Sequence, residues 1–277
     1  MSTAEIAIPV PRARTRAFGP LVTLARRRFQ LAARTPRELF VPLLTPIMFA
    51  LVIAPALKTA LHTSASYESF VAIGTIGLLI PLNTMFSGLS VIVDRVSGAQ
   101  PELLTAPIPR GLLVVGNLLV AMATTALQVG VLIGVALARG IDFHATGTGI
   151  VWFVATAAAF TVGMYGLAEI LASRVPRQEE YIARLPAIAI LPWFLAGALF
   201  PITALPAFLA WVAKFLPLTH GLALMRYGLS GDGTGLHAIW GLSDPTAMAA
   251  LSLAVIGGFA LLLTAASIRV FSRSAVR

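Results

Sequence analysis

Cutting the chain at every Asp, Glu, Lys and Arg leaves six long intervals without a charge: Leu39 to Leu57, Ser69 to Val93, Gly111 to Ala138, Phe143 to Ala168, Leu185 to Ala213 and Pro245 to Ile268. Each is long enough for the ~17 to 25 residues that a bilayer-spanning helix needs. The hydrocarbon layer offers no water to backbone groups, so only helices or closed barrels cross it. Barrel strands would alternate over about ten residues, which these intervals do not. The pattern predicts an all-α membrane protein with six transmembrane helices.

Between the intervals the pattern changes in four places. Met1 to Pro11 reads as a loose tail. From Pro20 to Arg34, Leu21, Leu24, Ala25, Leu31 and Ala32 share one helical face, and Arg26, Arg27, Gln30 and Arg34 the other. Such a stripe predicts a helix lying in the membrane interface, with Arg28 on the apolar side relieved by snorkelling; the plainer alternative is a basic flank that fixes topology. Asp94 to Arg110, DRVSGAQPELLTAPIPR, is too polar for lipid and predicts a short helix opened by Pro101 and closed by Pro107 and Pro109. Phe200 to Gly231 is too apolar for a solvated loop and too interrupted by proline for one straight helix. It reads as two short re-entrant helices dipping into the outer leaflet, held by protein on all sides. The organisation is thus a tail and interfacial helix over residues 1–36, then a six-helix transmembrane domain over 37–277.

Composition agrees. Of 277 residues 58% are hydrophobic and 11% charged, against about a quarter charged in soluble domains. The net charge of +9 is placed asymmetrically. With the N-terminus inside, eight Arg of the tail, two in the second-to-third loop, three in the fourth-to-fifth loop and three at the C-terminus are cytoplasmic, leaving Lys58, Arg139, Lys214 and Arg226 outside. Retention of Lys and Arg on the cytoplasmic side predicts a multi-pass protein of the cell membrane with both termini cytoplasmic. The basic residues flank membrane segments and are not interleaved with aromatic stacking residues, which argues against a nucleic-acid partner. With no cysteine, disulfides and thiolate metal sites are excluded. The first apolar interval is too long and begins too late for a cleaved signal.

Enzymatic chemistry lacks its parts. There is no G-x-x-x-x-G-K-[ST] phosphate loop, no H-E-x-x-H and no G-x-S-x-G. His62, His144, His220 and His237 stand singly on segments assigned outside, and no metal site or catalytic residue is expected. The LSGDG at Leu229 to Gly233 is like an ATPase signature in five letters only and falls on the outer side. Glu169 is the one carboxylate at membrane depth, about a turn from the cytoplasmic end of the fourth helix. Such a group is a candidate for ion coupling; near Arg174 and Arg177, a structural ion pair is the commoner reading.

Two stretches together resemble the permease subunits of type-2 ABC exporters, the group that includes daunorubicin-resistance and nodulation-factor export permeases. The first is Asp94, Arg95, Gly98, Glu102, Leu103, Leu104, Thr105, Ala106, Pro107, Ile108 and Arg110, followed by Gly116. The second is Gly197, Phe200, Pro201, Leu205, Pro206, Leu216, Pro217, Leu218 and Arg226, similar to the family's outer region with its FP, LP and PL pairs. The family often has Arg-Glu-x-Gly in the loop, where this chain has Arg95, Val96, Ser97, Gly98. The resemblance spans essentially the whole chain.

The resemblance implies an exporter half. The 94–110 loop would be a coupling helix seated in a cleft of a separate ATPase. Asp94, Arg95, Glu102 and Arg110 would orient it and Leu103 and Leu104 anchor it. The interfacial helix, with Arg26, Arg27, Arg28 and Phe29, would pass on the motion. A second permease, identical or homologous, would complete the pathway, and two ATPase copies would hold ATP and Mg, with no cofactor on this chain. The competing expectations are a proton- or sodium-coupled carrier using Glu169, against which the halves show no internal repeat, and a structural membrane subunit. No intramembrane cluster singles out a substrate.

Overall fold

The computed structural model describes residues 65–98 and 110–274 continuously, together with scattered positions between 19 and 59. Most of the interfacial segment 20–34, the first apolar interval and residues 99–109 lie outside the described residues. Among those described, every regular element is helical. The helices are α1 (Ala65–Val96), α2 (Arg110–Ala138), α3 (Gly147–Arg174), α4 (Gln178–Leu185), α5 (Leu191–Leu195), α6 (Ala207–Ala213), α7 (Pro217–Ser230), α8 (Thr234–Trp240) and α9 (Pro245–Ser274).

Four of these, over Tyr67–Val96, Gly111–Ala138, Gly147–Arg174 and Pro245–Phe271, are long and apolar enough to cross a membrane. They coincide with the second, third, fourth and sixth charge-free intervals. The fifth interval takes another form. α4 runs through a π-helical turn at Pro186–Ile190 into α5, which ends at Leu195, and the chain then turns. Pro186 and Pro192 each remove a backbone donor, and a π-turn is one way a helix absorbs that loss.

α3 is the hub: α9, α1, α7 and α2 all pack on it, α9 most extensively. Small residues make the close approaches. A side chain on Gly166 would strike the backbone of Leu263 and Thr264, and one on Gly163 the ring of Phe259, which itself stacks on Phe160 at 6.4 Å. Gly149 of α3 and Gly228 of α7 face each other backbone to backbone. Between lipid-immersed helices, close packing replaces the hydrophobic drive that water would supply, so small residues sit at the crossings. α1 is tied to α2 by a polar contact in the apolar layer, Asn83 Nδ2 donating to the hydroxyls of Thr124 and Thr125.

α1 is the most enclosed of the four long helices and α9 the least. Leu261 and Leu262 on α9 are each 74% exposed, and Leu127 and Leu137 on α2 more than half. Apolar surface of this extent is covered by lipid or by another chain.

Candidate functional site

The predicted site residues divide between the two ends of α1. At its C-terminal end the helix stops at Val96 and a turn follows: Ser97 N–H donates to the Val93 carbonyl at 2.9 Å, and Gly98 has φ +79°. That left-handed conformation suits glycine, which accounts for the glycine of the loop motif. Asp94 is buried. Arg95 reaches across to the end of α3, its Nη1 donating to the Ala172 carbonyl at 3.1 Å and its Nη2 to the Val175 carbonyl at 2.6 Å. The last carbonyls of a helix lack intrahelical partners and carry the negative end of its dipole, so a guanidinium there satisfies both. The first residues of the loop are thereby fastened to the hub helix.

Arg110 opens α2. Glu102, Leu103, Leu104, Thr105 and Pro107 lie outside the described residues, as do Arg27, Arg28 and Phe29. Of the interfacial segment, Val22, Thr23, Arg26 and Gln30 are helical and exposed.

Near the same end, Tyr181 of α4 is fully buried and its hydroxyl donates to the Met85 carbonyl at 2.8 Å. Gly88 lies against that hydroxyl, leaving no room for a side chain. Glu169 is fully buried, and its Oε2 accepts from the hydroxyl of Tyr165 one turn earlier, at 2.7 Å.

At the other end of α1, the second set of motif residues comes together. Each proline of the three pairs starts a helical piece: Pro201 precedes the 3₁₀ turn Ile202–Ala204, Pro206 precedes α6, and Pro217 is the first residue of α7. Proline's missing N–H costs nothing there. α6 and α7 meet at 81°, with Phe208, Trp211 and Phe215 exposed along the bend. Leu205 and Leu216 are half-buried beside it. The preceding turn, residues 196–201, is stitched to α1. Gly197 has φ +80°, Tyr67 donates to the Leu199 carbonyl at 3.1 Å, and Trp193 Nε1 donates to the Gly74 carbonyl at 2.7 Å. Gly74 packs on the Ala198 carbonyl and Gly77 on the side chain of Leu222.

Arg226 completes this end. Charge counting assigns it to the outer side, and within the protein it is buried, at 6% exposure. Its Nη2 donates to the carbonyls of Ala198 at 3.0 Å and Phe70 at 3.3 Å, and its guanidinium lies over the Phe70 ring. One side chain therefore ties α7 to both α1 and the 196–201 turn. His220, one of the solitary histidines, is likewise buried, its ring nitrogens 3.3 Å from the Ser252 hydroxyl and 2.9 Å from the Lys214 carbonyl. Sequence reasoning missed Gly74 and Gly77: their spacing departs from a small-xxx-small repeat, and the elements that they contact lie more than a hundred residues downstream.

Comparison with known proteins converges on one group. The profile of the ABC-2 type transporter family matches residues 20–230. The chain is 25% identical over 209 residues to a putative transport permease ycf38 of Porphyra purpurea, an alignment covering 74% of this chain and 72% of that protein. It is 28% identical over 174 residues to nodulation protein J of Rhizobium leguminosarum bv. viciae, covering 60% of this chain and 64% of the relative. The reading of Glu169 as an ion-coupling group draws no support from this group. With a profile match that runs from the interfacial segment through both motif regions to the end of α7, the chain belongs to the ABC-2 type transporter family, whose members are transmembrane permeases.

Proposed function

We propose that this chain is the membrane permease of an ATP-driven exporter whose ATPase is a separate protein. Six transmembrane helices, the first of them the Leu39–Leu57 interval, would place both termini in the cytoplasm of a cell-membrane protein. The α6–α7 pair would form a re-entrant hairpin in the outer leaflet. The 94–110 loop would dock on the ATPase, with Glu102, Leu103, Leu104 and Arg110 at the contact, and two ATPases would bind ATP and Mg against a pair of permeases.

The observation that carries this reading is the bond between Arg95 and the end of α3. A loop pushed by a closing ATPase moves its permease only if its first residues are rigidly joined to the core, and Arg95 joins them to the helix on which four others pack. Rigid-body shifts of this kind need two packing states that a ligand biases. The junction of two such permeases supplies them.

The test is reconstitution in lipid nanodiscs with the candidate ATPase, comparing the native loop with a Glu102→Ala, Leu103→Ala double variant. Retention of the ATPase and stimulated ATP hydrolysis by the native chain, with loss of either in the variant, is the expected result. If no ATPase associates with the native chain and transport instead follows a proton gradient and depends on Glu169, the reading fails.

A further inference from the structure

An arginine carries five N–H donors, and the hydrogen bonds of Arg226 within the protein leave from Nη2 alone. Its Nε is buried without a hydrogen-bond partner. Among the described residues no carboxylate forms an ion pair with it; the ion pairs found there join His144 to Asp142 and Arg184 to Glu180. Arg226 lines a cavity of about 200 Å³. Thr219 lines the same cavity, is 2% exposed, and its Oγ1 is also buried without a partner.

The rest of the wall is largely apolar, with Phe70, Ile202 and Ala238 among its residues. Asp232, also on the wall, attracts the Arg226 guanidinium without forming an ion pair with it, and its Oδ1 accepts from the Thr234 N–H at 2.9 Å and the Thr234 hydroxyl at 2.6 Å. The Arg226 Nε and the Thr219 hydroxyl, both buried, thus border one space without a hydrogen-bond partner in the protein.

Buried cations are held by an anion or by full hydrogen bonding, and buried donors left unused at a cavity call for an acceptor-rich group. Carboxylate and phosphoryl groups both qualify. The donors come from two positions, two turns apart on α7, which suits a tetrahedral group offering oxygens in several directions better than a planar carboxylate that fills one fork. Guanidinium also matches phosphate geometry. The space equals about six or seven water volumes, enough for a phosphoryl group with a short substituent.

We propose that Arg226 and Thr219 form a binding site for the phosphoryl group of a phospholipid or of a soluble phosphate ester, in the cavity beside the Phe70 end of α1. The site depends on neither the ATPase partner nor the direction of transport, so its failure would leave the exporter reading standing.

The experiment uses the full chain purified in detergent. Thermal unfolding and native mass spectrometry are followed with added dioleoyl-phosphatidylglycerol, dioleoyl-phosphatidylethanolamine, dioleoylglycerol, which lacks the phosphate, or inorganic phosphate. A phosphoryl-bearing probe should raise the melting temperature by about 2–4 °C while dioleoylglycerol does not. Protection by the phospholipids alone assigns a lipid headgroup; protection by inorganic phosphate assigns a soluble source. Thr219→Val, which keeps the shape, should weaken binding by roughly 3- to 10-fold, and Ala238→Phe, which fills the space from the facing wall, should abolish it. Equal protection by dioleoylglycerol, no protection by any probe, or unchanged binding in Thr219→Val overturns the proposal. The valine variant decides the matter if Ala238→Phe does not fold.

Discussion

The Arg226 guanidinium carbon lies 3.4 Å from the centroid of the Phe70 ring, 156 residues away in sequence. Its Nη2 also bonds the Phe70 carbonyl, so one residue of α1 receives the same cation at its ring and at its backbone. A cation over an aromatic face contributes about 0.5–2 kcal/mol, more when desolvated, and hydrogen bonds from charged donors about 1.5–3 kcal/mol. Arg226→Lys keeps the charge but loses the planar fork and should lower stability by about 1–3 kcal/mol. Phe70→Leu should cost about 1–2 kcal/mol. The double variant should lose less than the sum, because each change removes the same contact. Unfolding of all three in detergent checks this, and strict additivity would show that the two residues are not coupled.

Glycine positions should differ sharply by what they face. At Gly74 an added methyl meets the Ala198 carbonyl, and at Gly149 it meets the Gly228 carbonyl. Gly74→Ala or Gly149→Ala should cost about 1–3 kcal/mol through forced backbone separation. Gly130, inside α2 with nothing near its Cβ position, should become slightly more stable on conversion to Ala, by up to about 1 kcal/mol. Melting temperatures of the three single variants provide the comparison, and similar values for all would contradict the packing described.

Arg95 predicts a split between stability and coupling. Arg95→Ala leaves the Ala172 and Val175 carbonyls without their donor and should cost about 1–2 kcal/mol. In the proposed ATPase complex it should lower transport more than ATP hydrolysis, since the loop that the proposal couples to the ATPase is no longer fastened to α3. Both activities falling in parallel would reduce Arg95 to a stabilising role.

Glu169→Gln keeps the acceptor for Tyr165 and removes any ionisation. On the proposed exporter function, ATP-driven transport by the variant should stay within about 2-fold of the native rate, since a difference below ~0.5 kcal/mol is expected of a group that only accepts a bond. Loss of transport that tracks a proton gradient would instead restore the ion-coupled reading.

Tyr181→Phe removes the hydroxyl that bonds Met85 and rests on Gly88. A loss of about 1 kcal/mol is expected, with α4 the first segment to gain hydrogen exchange. Uniform exchange across α1 and α4 would show that the bond does not hold them together.

Hydropathy is local and additive along the chain, and for that reason the sequence by itself determined the helical class and the extents of α1, α2, α3 and α9. A charge-free run long enough to span has few other ways to satisfy its backbone in lipid. Proline is local too, so the start of α9 was legible at Pro245, while the prolines between 200 and 231 marked a broken path without fixing where α6 and α7 begin. The fifth interval was not legible in the same way. Its apolar content resembles that of the others, and only the competition between Pro186, Pro192 and the packing of Trp193 on Gly74 turns it into a bent path. Nor could charge counting foresee Arg226. Charge counting predicts a side of the membrane, but whether a cation faces water or the rings and carbonyls of α1 depends on contacts across more than a hundred residues, which tertiary structure alone brings together.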